Sequence, residues 1–91
     1  MTIIYSVRSL RHIKAIYDYI AQNDPAAADR TVQRIREATR RLQTLPYSGR
    51  PGPHGTRILS VSGLPYVVIH RVRGDTVDIV AVFHTARNRR A

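Results

Sequence analysis

No cysteine occurs among the 91 residues, which excludes a disulfide framework, a thiolate nucleophile and a cysteine-ligated zinc site. A reducing, cytoplasmic setting is the expectation. Tryptophan is also absent and phenylalanine occurs once, so a core has to be assembled from Ile, Val, Leu and Ala. No apolar run approaches the roughly 20 residues of a membrane span, and the opening "MTIIYSVRSLRHIKA" is too polar for the core of a signal peptide. The chain is too short for two cores, which predicts one soluble domain over residues 1–91 with no membrane partner. A core this small gains stability from a bound partner.

Acidic residues are scarce as well: 6 Asp and Glu stand against 15 Lys and Arg, for a formal charge of +9. Lys14 is the one lysine and every other cation is an arginine. The guanidinium group is a planar fork that fits carboxylates and phosphates, and its charge does not titrate away. This balance predicts an anionic partner, nucleic acid or an acidic protein. In the C-terminal half the acids are Asp75 and Asp78, too few and too separated in role for a paired-carboxylate mechanism. His12, His54, His70 and His84 are scattered with no acidic cluster beside them, so no metal site is expected. No Gly-rich loop joins a strand to a helix, so no nucleotide cofactor is expected either.

What the chain does contain is organised. "TIIYSV" is rich in β-branched and aromatic residues and predicts a short strand. Leu10, Ile13, Ile16, Tyr17 and Ile20 then repeat at helical spacing, predicting a helix from Ser9, as N-cap, to Gln22. Asp24 followed by Pro25 is a strong second start, since Asp accepts orphan amide protons and Pro lacks one. Ala28, Val32, Ile35, Leu42 and Leu45 form the expected buried stripe of that helix, with Thr39 at its weak point and Pro46 closing it. "PYSGRPGPHGT" is a conformationally restricted loop. Strands follow over Arg57–Ser62, Tyr66–Arg73 and Thr76–His84.

The order β-α-α-β-β-β predicts an α+β fold, a mostly antiparallel sheet with a helical hairpin on one side. If Gly74-Asp75 is a two-residue turn, Arg73 faces Thr76 and Arg71 faces Asp78 as an opposite-charge pair. Simple alternation then puts Tyr66, Val68, His70, Val72, Val77, Ile79, Ala81 and Phe83 on one face. Val67, Ile69, Arg71, Asp78, Val80, Val82 and His84 share the other. Both faces are largely apolar, and one helical layer covers one of them. The second is expected to meet a partner or the Pro46–Thr56 loop.

The candidate chemistry sits in "HTAR". His84 can exchange a proton near pH 7 and Arg87 can hold a phosphate, the parts of a metal-independent ribonuclease. A frayed basic tail with a partly packed histidine is the plainer reading. His70 sits mid-strand on an apolar face, where a packed, singly hydrogen-bonded imidazole is the usual explanation. Arg50 and Arg57 flank the Pro/Gly loop and extend a basic patch with Arg87, Arg89 and Arg90.

The ordered set "YDYIA", "DPAAADR", "LQTLPYSGRPG", "TRILSV" and "PYVVIHRVRGDTVDIVAVFHTAR" resembles the ParE/RelE superfamily of type II toxin–antitoxin toxins over nearly the whole chain, and is most similar to the ParE-like branch. The resemblance implies a growth-inhibiting toxin held in a hetero-oligomeric complex by a cognate antitoxin, whose acidic segment wraps it. ParE-like members poison DNA gyrase, whereas RelE-like members cleave messenger RNA on the ribosome. RelE-like sequences often place Arg after the aromatic residue of the third strand, and here Val67 follows Tyr66. The resemblance therefore favours a non-enzymatic gyrase inhibitor, with a ribosome-dependent endoribonuclease as the alternative. In the ribonuclease case His84, Arg87, Arg57 and Tyr66 would be catalytic. In either case Arg50, Arg57, His70, Arg71, His84, Arg87, Arg89 and Arg90 are the residues expected to meet target or antitoxin.

Overall fold

A computed structural model describes residues 1–86, so the expectations for Arg87, Arg89 and Arg90 lie outside the described residues. The chain runs β1 (Thr2–Tyr5), α1 (Val7–Ala21), α2 (Pro25–Arg40), a 3-10 turn (Arg41–Gln43), β2 (Arg50–Pro51), a second 3-10 turn (Pro53–Gly55), β3 (Arg57–Ser60), β4 (Tyr66–Arg73) and β5 (Thr76–His84). The strands form one five-stranded sheet in the order β1-β5-β4-β3-β2. β3, β4 and β5 are an antiparallel meander, β2 adds a short antiparallel edge, and β1 pairs parallel to β5. The predicted α+β architecture is therefore present, with two-residue β2 as an addition the sequence did not announce. Among the described residues no helix is long and apolar enough to cross a membrane.

Helix α1 begins at Ser6 and not at Ser9. The Ser6 hydroxyl accepts the Ser9 amide at 3.0 Å, and Ser9 is buried one turn in, its own hydroxyl donating to the Ser6 carbonyl at 2.8 Å. Asp24 caps α2 as expected, accepting the Ala27 amide at 3.0 Å, with Pro25 at the first helical position. Each cap of this kind stabilises by about 1 kcal/mol.

The end of α2 departs from the expected stripe. After Arg40 the backbone tightens into a 3-10 turn, and the change of period from about 3.6 to 3 leaves Leu42 buried while swinging Leu45 outward, 61% exposed. Thr39, the presumed weak point, is buried and satisfied. Its hydroxyl donates to the Arg36 carbonyl at 2.8 Å, so the Tyr5 hydroxyl must be the donor in their mutual bond. Ile13, Ile35, Ala38 and Leu42 from the helical layer meet Val68, Val77, Ile79 and Val82 of the sheet in one core. Each fully buried large aliphatic here contributes about 1.5–3 kcal/mol.

The β4–β5 register matches the expectation at its turn end, with Arg73 opposite Thr76 and Arg71 opposite Asp78. The ion pair, however, is diagonal: Arg73 Nε lies 2.8 Å from Asp78 Oδ2, and Arg71 turns instead toward the His54 carbonyl, at 3.2 Å. Between Ile69 and His70 the ladder then slips by one residue, pairing His70 with Ile79 and Ile69 with Ala81. Val80 is the extra residue of this bulge. Beyond it the predicted alternation is inverted, so Val82 joins Val68 in the core and Phe83 shares the opposite face with Val67.

Candidate functional site

The face of the sheet turned away from the helices carries a groove of about 720 Å³. Its floor is apolar, made by Ile58, Val67, Ile69, Val80 and Phe83. Arg8, Arg50 and Arg71 stand around it, together with His54 from the second 3-10 turn. The Phe83 ring reaches this face because of the Val80 bulge, and the Arg8 guanidinium lies over it, 5.5 Å from the ring centre. Arg8 and Phe83 were not among the sequence-predicted site residues. Arg8 belongs to the start of a helix, and no spacing rule brings it to the last strand.

The loop between α2 and β3 forms one wall of the groove, and three basic side chains hold it. His70 Nε2 donates to the Ser48 carbonyl at 3.1 Å, an Arg57 terminal nitrogen donates to the Gly49 carbonyl at 2.9 Å, and Arg71 donates to the His54 carbonyl at 3.2 Å. Arg57 and His70 are direct cross-strand partners. Gly49 can approach so closely because it has no side chain: at φ 93° an added Cβ would stand 2.3 Å from the Ile58 carbonyl oxygen. The loop also closes on itself through Gly52 N–H to the Thr56 carbonyl, 2.8 Å, and the Thr56 hydroxyl to the Pro53 carbonyl, 2.6 Å.

His70 is fully buried. Burial holds its pKa below the usual imidazole value, and neighbouring Arg57 pushes the same way, against the hydrogen bond to Ser48. It is therefore a neutral imidazole with the proton on Nε2, leaving Nδ1, like the Nε of Arg57, a buried nitrogen with no hydrogen-bond partner among the described residues. His70 faces the loop and not solvent, while half-buried Arg57 reaches the loop through its terminal nitrogen.

At the other end of β5, His84 lies edge-on to Tyr66, with ring centres 5.3 Å apart. Tyr66 is 6% exposed, which leaves no open ring face for a nucleobase. His84 Nδ1 accepts the Ala86 amide at 3.1 Å, so its basic nitrogen is already engaged. The structure thus brings Arg50, Arg57, His70 and Arg71 together around the loop, and Tyr66 with His84 at the strand terminus. Among the described residues there is no group of three or more His, Asp or Glu that could hold a metal ion.

An apolar floor ringed by arginines is complementary to an amphipathic segment carrying acidic residues. The family to which such a fold belongs is decided by direct comparison. Residues 3–89 match the family model of the ParE toxin of type II toxin–antitoxin systems, parDE. The chain belongs to the ParE toxin family. It is 41% identical over 81 residues to the toxin-named protein Y4kP of Sinorhizobium fredii, covering 88% of this chain and 83% of that one. It is 36% identical over 85 residues to Toxin RelE2 of Caulobacter vibrioides, covering 93% of this chain and 96% of the relative. A solved chain of the chromosomal ParDE TA system from P. aeruginosa superposes with a TM-score of 0.82 at 28% identity, covering 92% of this chain and 95% of that one. The ParE-family chain is thus a toxin of a type II toxin–antitoxin system, a family that implies a cognate antitoxin as partner.

Proposed function

We propose that this toxin acts by binding, inhibiting DNA gyrase and hence replication in the cytoplasm, and that it is silenced by an antitoxin whose acidic segment occupies the arginine-rimmed groove. The observation that carries this reading is the commitment of the would-be catalytic set to structure. Of that set Arg87 lies outside the described residues, Arg57 donates to a loop carbonyl, Tyr66 is buried against His84, and His84 Nδ1 accepts a backbone amide. A general base needs its acceptor nitrogen within reach of the proton it abstracts. The apolar groove, by contrast, is built for contact.

The ribosome-dependent ribonuclease is the second reading, favoured by the RelE names of the Caulobacter vibrioides relatives. Under it His84 would act through Nε2, with Arg57 and Arg87 toward phosphate. One paired assay separates them: supercoiling by purified gyrase beside cleavage of mRNA on programmed ribosomes. Gyrase inhibition with intact mRNA supports binding. Cleaved mRNA with unaffected gyrase would replace the proposal with the nuclease.

A further inference from the structure

The groove leaves most of the chain's positive charge unexplained, because much of it lies on the helical layer. Arg30, Arg34, Arg40 and Arg41 are exposed along the outer side of α2 and its 3-10 extension. Two adjoining concavities of about 500 and 540 Å³ run there, joined at Arg34 and Glu37, and neither shares a residue with the groove. Arg30 stands in one, Arg40 and Arg41 in the other. Arg34, at the junction, donates to the Ser62 carbonyl and is held in place by it.

None of these four arginines makes an ion pair among the described residues. The acids that could neutralise them are used elsewhere. Asp18 pairs with Lys14, Asp24 caps α2, Asp29 bonds to Tyr17, and Asp78 pairs with Arg73. Among the described residues Glu37 is the one acid in the trough. Along the helix Arg30 and Arg34 are separated by about 6 Å of rise and Arg34 and Arg41 by about 10 Å, a linear array and not a point cluster.

We infer that this trough binds the phosphodiester backbone of duplex nucleic acid. Linear, unpaired guanidinium groups in a concave surface match a charged backbone, which releases counterions when arginines replace them. Among the described residues no aromatic side chain lines the trough, and single-strand binders depend on such platforms for stacking. The array therefore favours double helix over single strand, and backbone contact without base readout. Because the trough and the groove are separate, an occupied groove leaves the trough open. This site is independent of the gyrase reading.

The test is fluorescence anisotropy of the full chain with a labelled duplex of about 20 bp, titrated with salt, since the slope of log affinity against log salt counts phosphates at about 0.9 each. Arg30→Gln, Arg34→Gln and Arg41→Gln combined should lower that slope by about 2–3. Arg11→Gln, Lys14→Gln and Arg73→Gln combined remove the same charge elsewhere and should lower it by less than about 1. Glu37→Gln, which does not threaten the Arg34–Ser62 bond, should tighten binding about twofold to fivefold, the scale of one exposed charge, while Asp75→Asn should not. Equal losses in the two triple variants, or equal gains in Glu37→Gln and Asp75→Asn, would reduce the effect to net charge and overturn the site. Tighter binding to a single-stranded oligonucleotide, or equal competition by polyglutamate, would overturn the duplex assignment.

Discussion

His12 Nδ1 accepts the backbone amide of Val82 at 3.2 Å, and nearly two turns earlier the Ser6 hydroxyl donates to the Val80 carbonyl at 3.0 Å. β1 stops pairing at Tyr5 opposite Ile79, so the edge of β5 beyond that point would otherwise expose orphan backbone groups at the Val80 bulge. Ser6 at the strand-to-helix junction and His12 inside α1 do what further residues of β1 would have done. This is the physical reason a bulge is tolerated there, and the bulge in turn delivers Phe83 to the groove.

Burial of the His12 ring makes stability depend on pH. Burial, with Arg8 nearby, holds His12 below the usual imidazole pKa, and burial with Arg57 does the same for His70. The unfolded chain therefore binds more protons than the folded one as pH falls below about 6.5. Stability should be full above that value and decline from there toward the folded-state pKa values. Urea midpoints should drop between pH 7.5 and 5.5, and His12→Gln, which keeps an acceptor without titrating, should flatten part of that drop. An unchanged slope in His12→Gln would mean that His12 titrates alike in the folded and unfolded chain.

Leu42 and Leu45 look equivalent in sequence and are not equivalent in the fold. Leu42→Ala should cost about 2–5 kcal/mol, since Leu42 is fully buried, while Leu45→Ala, mostly exposed, should cost less than about 0.5 kcal/mol. Chemical denaturation measures both. Equal losses would place Leu45 in the core and restore the uninterrupted helical stripe.

These two leucines show where sequence reasoning ends. The order of elements, the Asp24-Pro25 start and the Gly74-Asp75 hairpin were legible, because capping, proline geometry and short turns are local effects. The shift from Ser9 to Ser6 and from α-helix to 3-10 turn was not, because tertiary bonds to Val80 and the core decided them. The bulge at Val80 carries no glycine or proline to announce it, so His84, Val82 and Phe83 were assigned to the wrong faces. The plainer sequence reading of His70, a packed imidazole with a single hydrogen bond, matches its bond to the Ser48 carbonyl, whereas Arg57, read as part of a basic patch, holds the Gly49 carbonyl of the loop.

Gly49 should be the most sensitive position of that loop. Its positive φ and the carbonyl of Ile58 leave no room for a Cβ, and that carbonyl is backbone that cannot swing aside. Gly49→Ala should cost at least about 1–3 kcal/mol and detach the loop from Arg57 and His70. Hydrogen exchange at Gly52 and Thr56 amides should accelerate with it. Slow exchange at those amides in a Gly49→Ala chain would show that the loop holds without the Arg57 and His70 bonds.

The groove reading makes a sharper demand, because the arginines around an apolar floor divide the work. Phe83→Ala removes an anchor from the floor and should weaken antitoxin binding by about 2 kcal/mol or more, chiefly through faster dissociation, as truncated anchors at interface centres do. Arg50→Glu, exposed at the edge, should slow association and change its salt dependence, as rim charges do, while leaving dissociation nearly unchanged. Surface plasmon resonance with the antitoxin peptide resolves the two rates. If Arg50→Glu altered dissociation and Phe83→Ala left it unchanged, the antitoxin would have to bind by charge alone, outside the apolar floor that the Val80 bulge assembles.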